Sequence, residues 1–152
     1  MIIASVSENK NFEKRIPITP EISKKYINLG FEVHLSQNYG AHLGFSDSEY
    51  KEVGVKIVGD ENQLLENADV IIQMSLLNEN KTSLLKSNQT LIGVLNPYEN
   101  KKILDELIKN KINLFSLEML PRITRAQSMD ILSSQANLAG YKAVLEAFSV
   151  FE

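Results

Sequence analysis

The sequence predicts an α/β fold, a mostly parallel sheet flanked by helices in a three-layer sandwich, and three observations predict it. Strand-like and helix-like runs alternate from residue 1 to about residue 118, the order in which crossover helices thread a parallel sheet. Two strand-like runs, Asp69-Val-Ile-Ile-Gln-Met and Thr90-Leu-Ile-Gly-Val-Leu, are almost continuously apolar, as strands covered on both faces are. The joints between runs carry N-cap residues, prolines and glycines where helices should start and stop. At 152 residues and 43% hydrophobic content, one domain with a real core is expected.

Taken in order, Met1-Ile-Ile-Ala-Ser-Val-Ser reads as a first strand and Glu8 to Pro20 as a charged loop. Thr19-Pro20-Glu21 gives an N-cap followed by proline at the first helical position. The helix so opened should run to about Leu29, with Ile22, Tyr26 and Leu29 on one face and Gly30 at its end. Phe31-Glu-Val-His-Leu alternates as a strand does. In the glycine-containing loop from Asn38 to Gly44, His42 is a candidate to contact a ligand, but a lone loop histidine reads first as a solvated residue. Ser46-Asp-Ser-Glu49 is a capping box opening a short helix to Val53. Val55 to Val58 is a short strand and Asn62 to Asn67 a helical turn, and Glu79 to Leu85 a weaker helix. Asn100 to Asn110 is amphipathic, with Ile103, Leu104, Leu107 and Ile108 on one side. Ile112 to Leu117 closes the sheet, and Leu138 to Phe151 reads as a core or docking helix.

Composition excludes several functions. A net charge of −3 leaves no basic footprint, so nucleic acid is not expected as a partner. Without cysteine, and with only His34 and His42, neither thiolate chemistry nor a structural zinc site is expected. No run approaches the roughly 20 apolar residues of a membrane span, and the expectation is a soluble, cytoplasmic chain.

The segment from Ser116 to Asn137 lies at a strand-to-helix junction, where α/β folds place function. It gathers Arg122, Arg125, Gln127, Asp130 and Ser133. Planar cations, an amide, a carboxylate and a hydroxyl can grip a polar ring, an amide and a sugar. The plain alternative is a capping box, Thr124-Arg-Ala-Gln127, with Asp130 in the first turn and Arg122 neutralising it. Gln73, Asn96 and Glu118 are expected at the same carboxyl edge of the sheet, with Arg15 joining from the first loop. For Gln73 the competing reading is ordinary strand-end polarity.

Three blocks of the chain resemble the amino-terminal domain shared by alanine dehydrogenases and the alpha subunit of proton-translocating NAD(P) transhydrogenase. They are Glu13-Lys-Arg-Ile-Pro-Ile-Thr-Pro20, then Gly40-Ala-His-Leu-Gly-Phe-Ser-Asp-Ser-Glu-Tyr50 with Gly54, and above all Pro121 to Tyr141. The third resembles the transhydrogenase loop named for its arginine, glutamine and aspartate, which lies beside the nicotinamide of NAD(H). The resemblance implies that Arg122 is the loop arginine and that Gln127 reaches the nicotinamide or its ribose. It also implies that Asp130 pairs with the arginine or the nucleotide, and that Ser133 is a hydroxyl near the same sugar.

Within that family the transhydrogenase branch fits better. Arg15 matches the keto-acid arginine of alanine dehydrogenases, but Gln73-Met74 and Asn96-Pro97 stand where their lysine and histidine are expected. The alternatives are the amino-terminal domain of an alanine dehydrogenase or a non-catalytic binding and assembly module. The chain contains no G-x-G-x-x-G turn, so the fold is expected to be Rossmann-like but to lack the dinucleotide-binding half. Residues 1–137 form the domain on this reading, and 138–152 a helix leading into the missing half. The implied partners are that half, membrane-embedded and NADP(H)-binding subunits, and a second copy in a full-length homodimer, at the inner face of the inner membrane. The isolated chain is expected to be inactive.

Overall fold

The computed structural model describes residues 1–151. Six strands, β1 (Ile2–Ser5), β2 (Glu32–Ser36), β3 (Lys56–Val58), β4 (Val70–Ser75), β5 (Thr90–Val94) and β6 (Asn113–Ser116), form one sheet in the order β3-β2-β1-β4-β5-β6. Every pairing is parallel. The helices are α1 (Pro20–Asn28), α2 (Asp47–Glu52), α3 (Glu61–Asn67), α4 (Glu79–Thr82), α5 (Lys101–Lys109) and α6 (Ile131–Val150). The sheet grows outward from β1 in both directions, so chain order reverses between β1 and β4, the doubly wound, Rossmann-like arrangement.

Successive strand residues face opposite sides, and the core divides accordingly. Ile3, Val33 and Leu35 pack with Tyr39, Tyr50 and Val55 beneath α1 and α2. Ala4, Ile71 and Leu91 pack with Leu64, Leu65, Leu104 and Leu107 beneath α3 and α5. The outer part of the first face is less covered: Ile92 is half-buried and Phe115, its register partner on β6, is 58% exposed.

Local signals act as the sequence suggests. Thr19 Oγ1 accepts the Ile22 N–H at 3.3 Å, with Pro20 at the first helical position. Ser46 and Glu49 cap each other's backbone at 3.3 and 2.6 Å. Gly30 ends α1 at φ +89, a conformation that costs other residues.

Departures come from tertiary context. β2 does not alternate: Val33 to Ser36 are all buried, because β2 is an interior strand with helices on both sides. Leu29 is 72% exposed and Ile27 packs in its place, since α1 ends at Asn28 and Leu29 leaves the helical repeat. Ile108 is 59% exposed; at 100° per residue it lies about 90° from the centre of the Ile103, Leu104, Leu107 stripe. α4 stops at Thr82, short of Leu85, which turns into the core. The last helix starts at Ile131, ahead of the expected Leu138.

Gly93 sits where β5 crosses the irregular end of β4, beside a register shift between Ile72 and Ser75. A Cβ there would lie 2.5 Å from the Gln73 carbonyl oxygen. Gly93→Ala is therefore expected to destabilise the fold by about 2 kcal/mol through overpacking, read as a lower urea midpoint at unchanged m-value. An unchanged midpoint would show that β4 yields freely at this crossing.

Candidate functional site

β6 delivers the chain to the polar segment. A 3-10 turn over Leu117–Met119 leads through Pro121 into a 3-10 helix over Thr124–Met129, and α6 follows. Ala126, 5% exposed, is the segment's buried anchor. The Thr124 capping box does not form: Ile123 occupies the N-cap position without a side-chain bond. Asp130 is instead the cap of α6. Its Oδ1 accepts the Leu132 and Ser133 N–H groups at 3.0 and 3.1 Å, and its Oδ2 accepts the Ser133 hydroxyl at 2.6 Å. The Ser133 hydroxyl and N–H together hold the Asp130 carboxyl below its ordinary range.

Arg122, Thr124, Gln127, Asp130 and Ser133 line one open pocket of about 310 Å³. All four residues expected from the sequence to form the site meet there, whereas Arg125 is not on its wall. Among the described residues, Arg122 makes no ion pair with Asp130, whose oxygens serve its own helix. The side chains of Arg122 and Gln127 bond to no protein group among those residues. Their N–H donors, and the Gln127 carbonyl, are available to a ligand.

Gln73 lies at the carboxyl edge of the sheet, behind the cleft at the chain reversal, but its polar atoms are taken up by protein. It is 2% exposed, and it staples β4 to the end of β1. Its Oε1 accepts from Ser5 Oγ at 2.8 Å and the Val6 N–H at 2.9 Å, while its Nε2 donates to the Val6 carbonyl at 3.2 Å and Glu8 Oε1 at 3.1 Å. The same Glu8 oxygen accepts the Met74 N–H at 2.6 Å and the Ser75 N–H at 3.3 Å. Burial raises the Glu8 carboxyl above its ordinary value of 4.5, against the opposing pull of the Met74 and Ser75 N–H groups.

Asn96 and Glu118 do come together, the Asn96 N–H donating to Glu118 Oε1 at 2.5 Å. The other Glu118 oxygen and Ser116 Oγ are buried without a protein partner among the described residues. At the chain reversal itself lies a cleft of about 420 Å³, walled by Glu8, Glu13, Ser75, Asn78 and Lys81. Sequence reasoning missed this cleft, although a lone carboxylate immediately after the first strand was its signal.

Arg15 reaches elsewhere. Its Nε and Nη2 fork onto Glu13 at 2.9 and 2.6 Å, and Nη1 donates to Gln135 Oε1 of α6 at 2.7 Å. His42, expected to be merely solvated, donates from Nε2 to the Lys14 carbonyl at 2.7 Å and pins the same loop. α6 itself has no buried residue, and Leu138, Tyr141 and Phe148 are 61, 69 and 76% exposed. It is not a core helix of this domain.

The chain matches, over residues 5–139, the family model described as alanine dehydrogenase/PNT, N-terminal domain. It is 38% identical to the first part of NAD(P) transhydrogenase subunit alpha of Rickettsia prowazekii and 40% identical to the same protein of Rhodospirillum rubrum, over 97% and 96% of its own length. It spans 39% of the length of each of these relatives. Identity to alanine dehydrogenase 1 of Staphylococcus aureus is 28%, over 95% of this chain and 38% of that one. A transhydrogenase from Sinorhizobium meliloti superposes over the whole chain and 45% of its own, with TM-score 0.90 and 34% identity. An L-alanine dehydrogenase of 19% identity shares the fold over 78% of this chain and 32% of its own, at TM-score 0.72.

The Glu8 environment has a measurable consequence. A carboxyl whose folded pKa is raised binds its proton more tightly in the native state. The resulting stability is fully present below 4.5 and is lost as pH rises through the raised value. Glu8→Gln keeps an acceptor for the Met74 and Ser75 N–H groups and does not titrate. The stability of Glu8→Gln relative to the parent, from urea unfolding, is therefore expected to increase between pH 4 and pH 7. A pH-independent difference would contradict the burial argument.

Proposed function

The chain belongs to the alanine dehydrogenase/PNT N-terminal domain family, and from that premise we propose that it is part of the NAD(H)-binding component of a proton-translocating NAD(P) transhydrogenase. The observation that carries the reading is the convergence of Arg122, Gln127, Asp130 and Ser133 on one pocket at the amino end of α6. The 38–40% identity to transhydrogenase alpha chains, against 28% to an alanine dehydrogenase, supports the same branch.

The residues fit a nicotinamide dinucleotide. The Gln127 amide offers a donor and an acceptor to a carboxamide or a ribose hydroxyl, and the Arg122 fork a planar cation. Ser133 donates its hydroxyl hydrogen bond to the Asp130 carboxylate, which leaves its oxygen to accept from a sugar hydroxyl. When bound, the dinucleotide supplies the hydride that passes to NADP+ on a partner subunit. This chain fixes the orientation of one reactant and excludes water from above it, contributions that need no general base.

Its partners on this reading are a dinucleotide-binding Rossmann half, the NADP(H)-binding subunit and a membrane-embedded proton channel, with a second copy of the component forming a dimer. Residues 1–137 form the closing domain, and 138–152 lead toward the dinucleotide-binding half. Among the described residues no helix is long and apolar enough to cross a membrane, which fits a peripheral, cytoplasmic position on the inner membrane. The exposed apolar residues of α6 are the surface such an arrangement needs.

NADH titrated into this chain alone, then into a mixture with a separately expressed Rossmann half, tests the reading by NMR. Binding only in the mixture is expected, with shifts at Arg122 to Ser133; tight binding by the chain alone, or shifts confined to the Glu8 cleft, would overturn it. In the complete assembly, Gln127→Asn is expected to slow hydride transfer by about tenfold or more, since shortening the side chain misplaces its amide by roughly 1 Å. Pyruvate-dependent NADH oxidation in place of transfer to an NADP+ analogue would instead assign the alanine dehydrogenase activity.

A further inference from the structure

α6 is joined to the rest of the domain by very little. It starts at the Asp130 cap, none of its residues is buried, and its remaining hydrogen bonds and its Lys142–Glu146 ion pair lie within the helix. Among the described residues, one hydrogen bond ties it to any part of the chain before Asp130: Arg15 Nη1 to Gln135 Oε1, across 120 positions of sequence.

The donor is held from behind. Arg15 is 52% exposed, but Glu13, whose side chain is 16% exposed, takes its Nε and Nη2 as well as its backbone N–H. A guanidinium is a rigid plane, so fixing one edge of the fork aims the other. The preceding residue is fixed too, its carbonyl receiving the His42 N–H. Farther back, Glu8 is bonded to Gln73 and to the β4 backbone. The loop is thus a braced arm running from the chain reversal to the first turns of α6.

We infer that Arg15 is a positioning residue: through Gln135 it sets the direction of α6, and with it the angle between the Asp130 and Ser133 end of the helix and the dinucleotide-binding half toward which its far end leads. The function so assigned rests on the transhydrogenase reading, whereas the latch itself does not. Leverage makes it consequential, because a 20-residue helix is about 30 Å long and a tilt of about 10° displaces its far end by about 5 Å. An exposed polar contact of this kind adds little stability, so its loss is expected to spare the melting temperature while changing geometry.

The chain has no cysteine, so Lys24→Cys on α1 and Ser149→Cys on α6 give a clean spin-label pair. Pulsed EPR is expected to show one narrow distance distribution in the doubly labelled chain. Arg15→Met and Gln135→Met should each broaden it, and Gln135→Glu, which keeps an acceptor, should leave it narrow. Unchanged width in both Met variants overturns the latch, and Gln135 lies on an exposed helix where misfolding cannot supply the result. In the complete assembly, each Met variant is expected to slow NADH-to-NADP+ transfer by about tenfold, with the double variant no slower than either. Additive losses, or a Tm that falls with the rate, would make the role merely structural. If the parent assembly transfers no hydride at all, the functional reading falls while the distance measurement still decides the latch.

Discussion

The structure depends on how it satisfies the backbone where chain order reverses. β1 and β4 are neighbours, yet the connection after one turns away from the connection after the other. Val6, fully buried just past the end of β1, has no strand residue to take its N–H and carbonyl. Orphaned buried groups cost free energy comparable to a lost hydrogen bond, and Gln73 answers both with one amide. Glu8 then takes the other Gln73 N–H and two backbone donors of β4. This network fixes the start of the first loop, and so the base from which Glu13 and Arg15 reach outward.

The candidate site lies away from that crevice. The polar segment leaves β6, three strands from β1, a lateral distance of about 14 Å at ordinary strand spacing. The reversal cleft and the pocket of Arg122, Gln127 and Ser133 share no wall residue, and Arg15 is the residue that relates them. The pocket has a floor and little else: Ala126 anchors it, while Arg122, Gln127 and Ser133 are exposed. A site of this shape suits a surface that closes over something held by another body. The composition of α6 agrees, for a helix apolar on several sides is normally a covered one, and here Leu138, Tyr141, Leu145 and Phe148 all face outward.

What the sequence disclosed, and what it hid, divides by the range of the interaction. Strand positions, the Thr19 and Ser46 caps and the turn at Gly30 are set within a few residues, and each was legible. The convergence of Arg122, Gln127, Asp130 and Ser133 was legible for the same reason, since all four lie close together on one loop and helix start. Gln73 was ambiguous because its partners Ser5, Val6 and Glu8 lie more than 60 positions away. His42 read as solvated because its acceptor is a backbone carbonyl 28 positions distant. Leu29 and Ile108 fit a helical stripe, but a helix end and the width of the buried face decided against them. The Thr124 box failed for a subtler cause: two competing caps lay within two turns of each other, and the carboxylate won.

That competition bears on how the site works. Asp130 spends one oxygen on the α6 backbone and the other on Ser133, so it is committed before any ligand arrives. Its role in the proposed grip is to start the helix at one residue and to turn the Ser133 lone pairs outward, in place of pairing with Arg122. In that proposed grip, the groups left to meet a nucleotide directly are the uncommitted ones, the Arg122 fork and the Gln127 amide. Both stand on the short stretch between β6 and α6, whose direction follows the helix it feeds. On the proposed reading, orientation of the reacting ring passes through the helix start, and a contact as exposed as Arg15 with Gln135 acts on it by geometry, where its contribution to stability alone would be small.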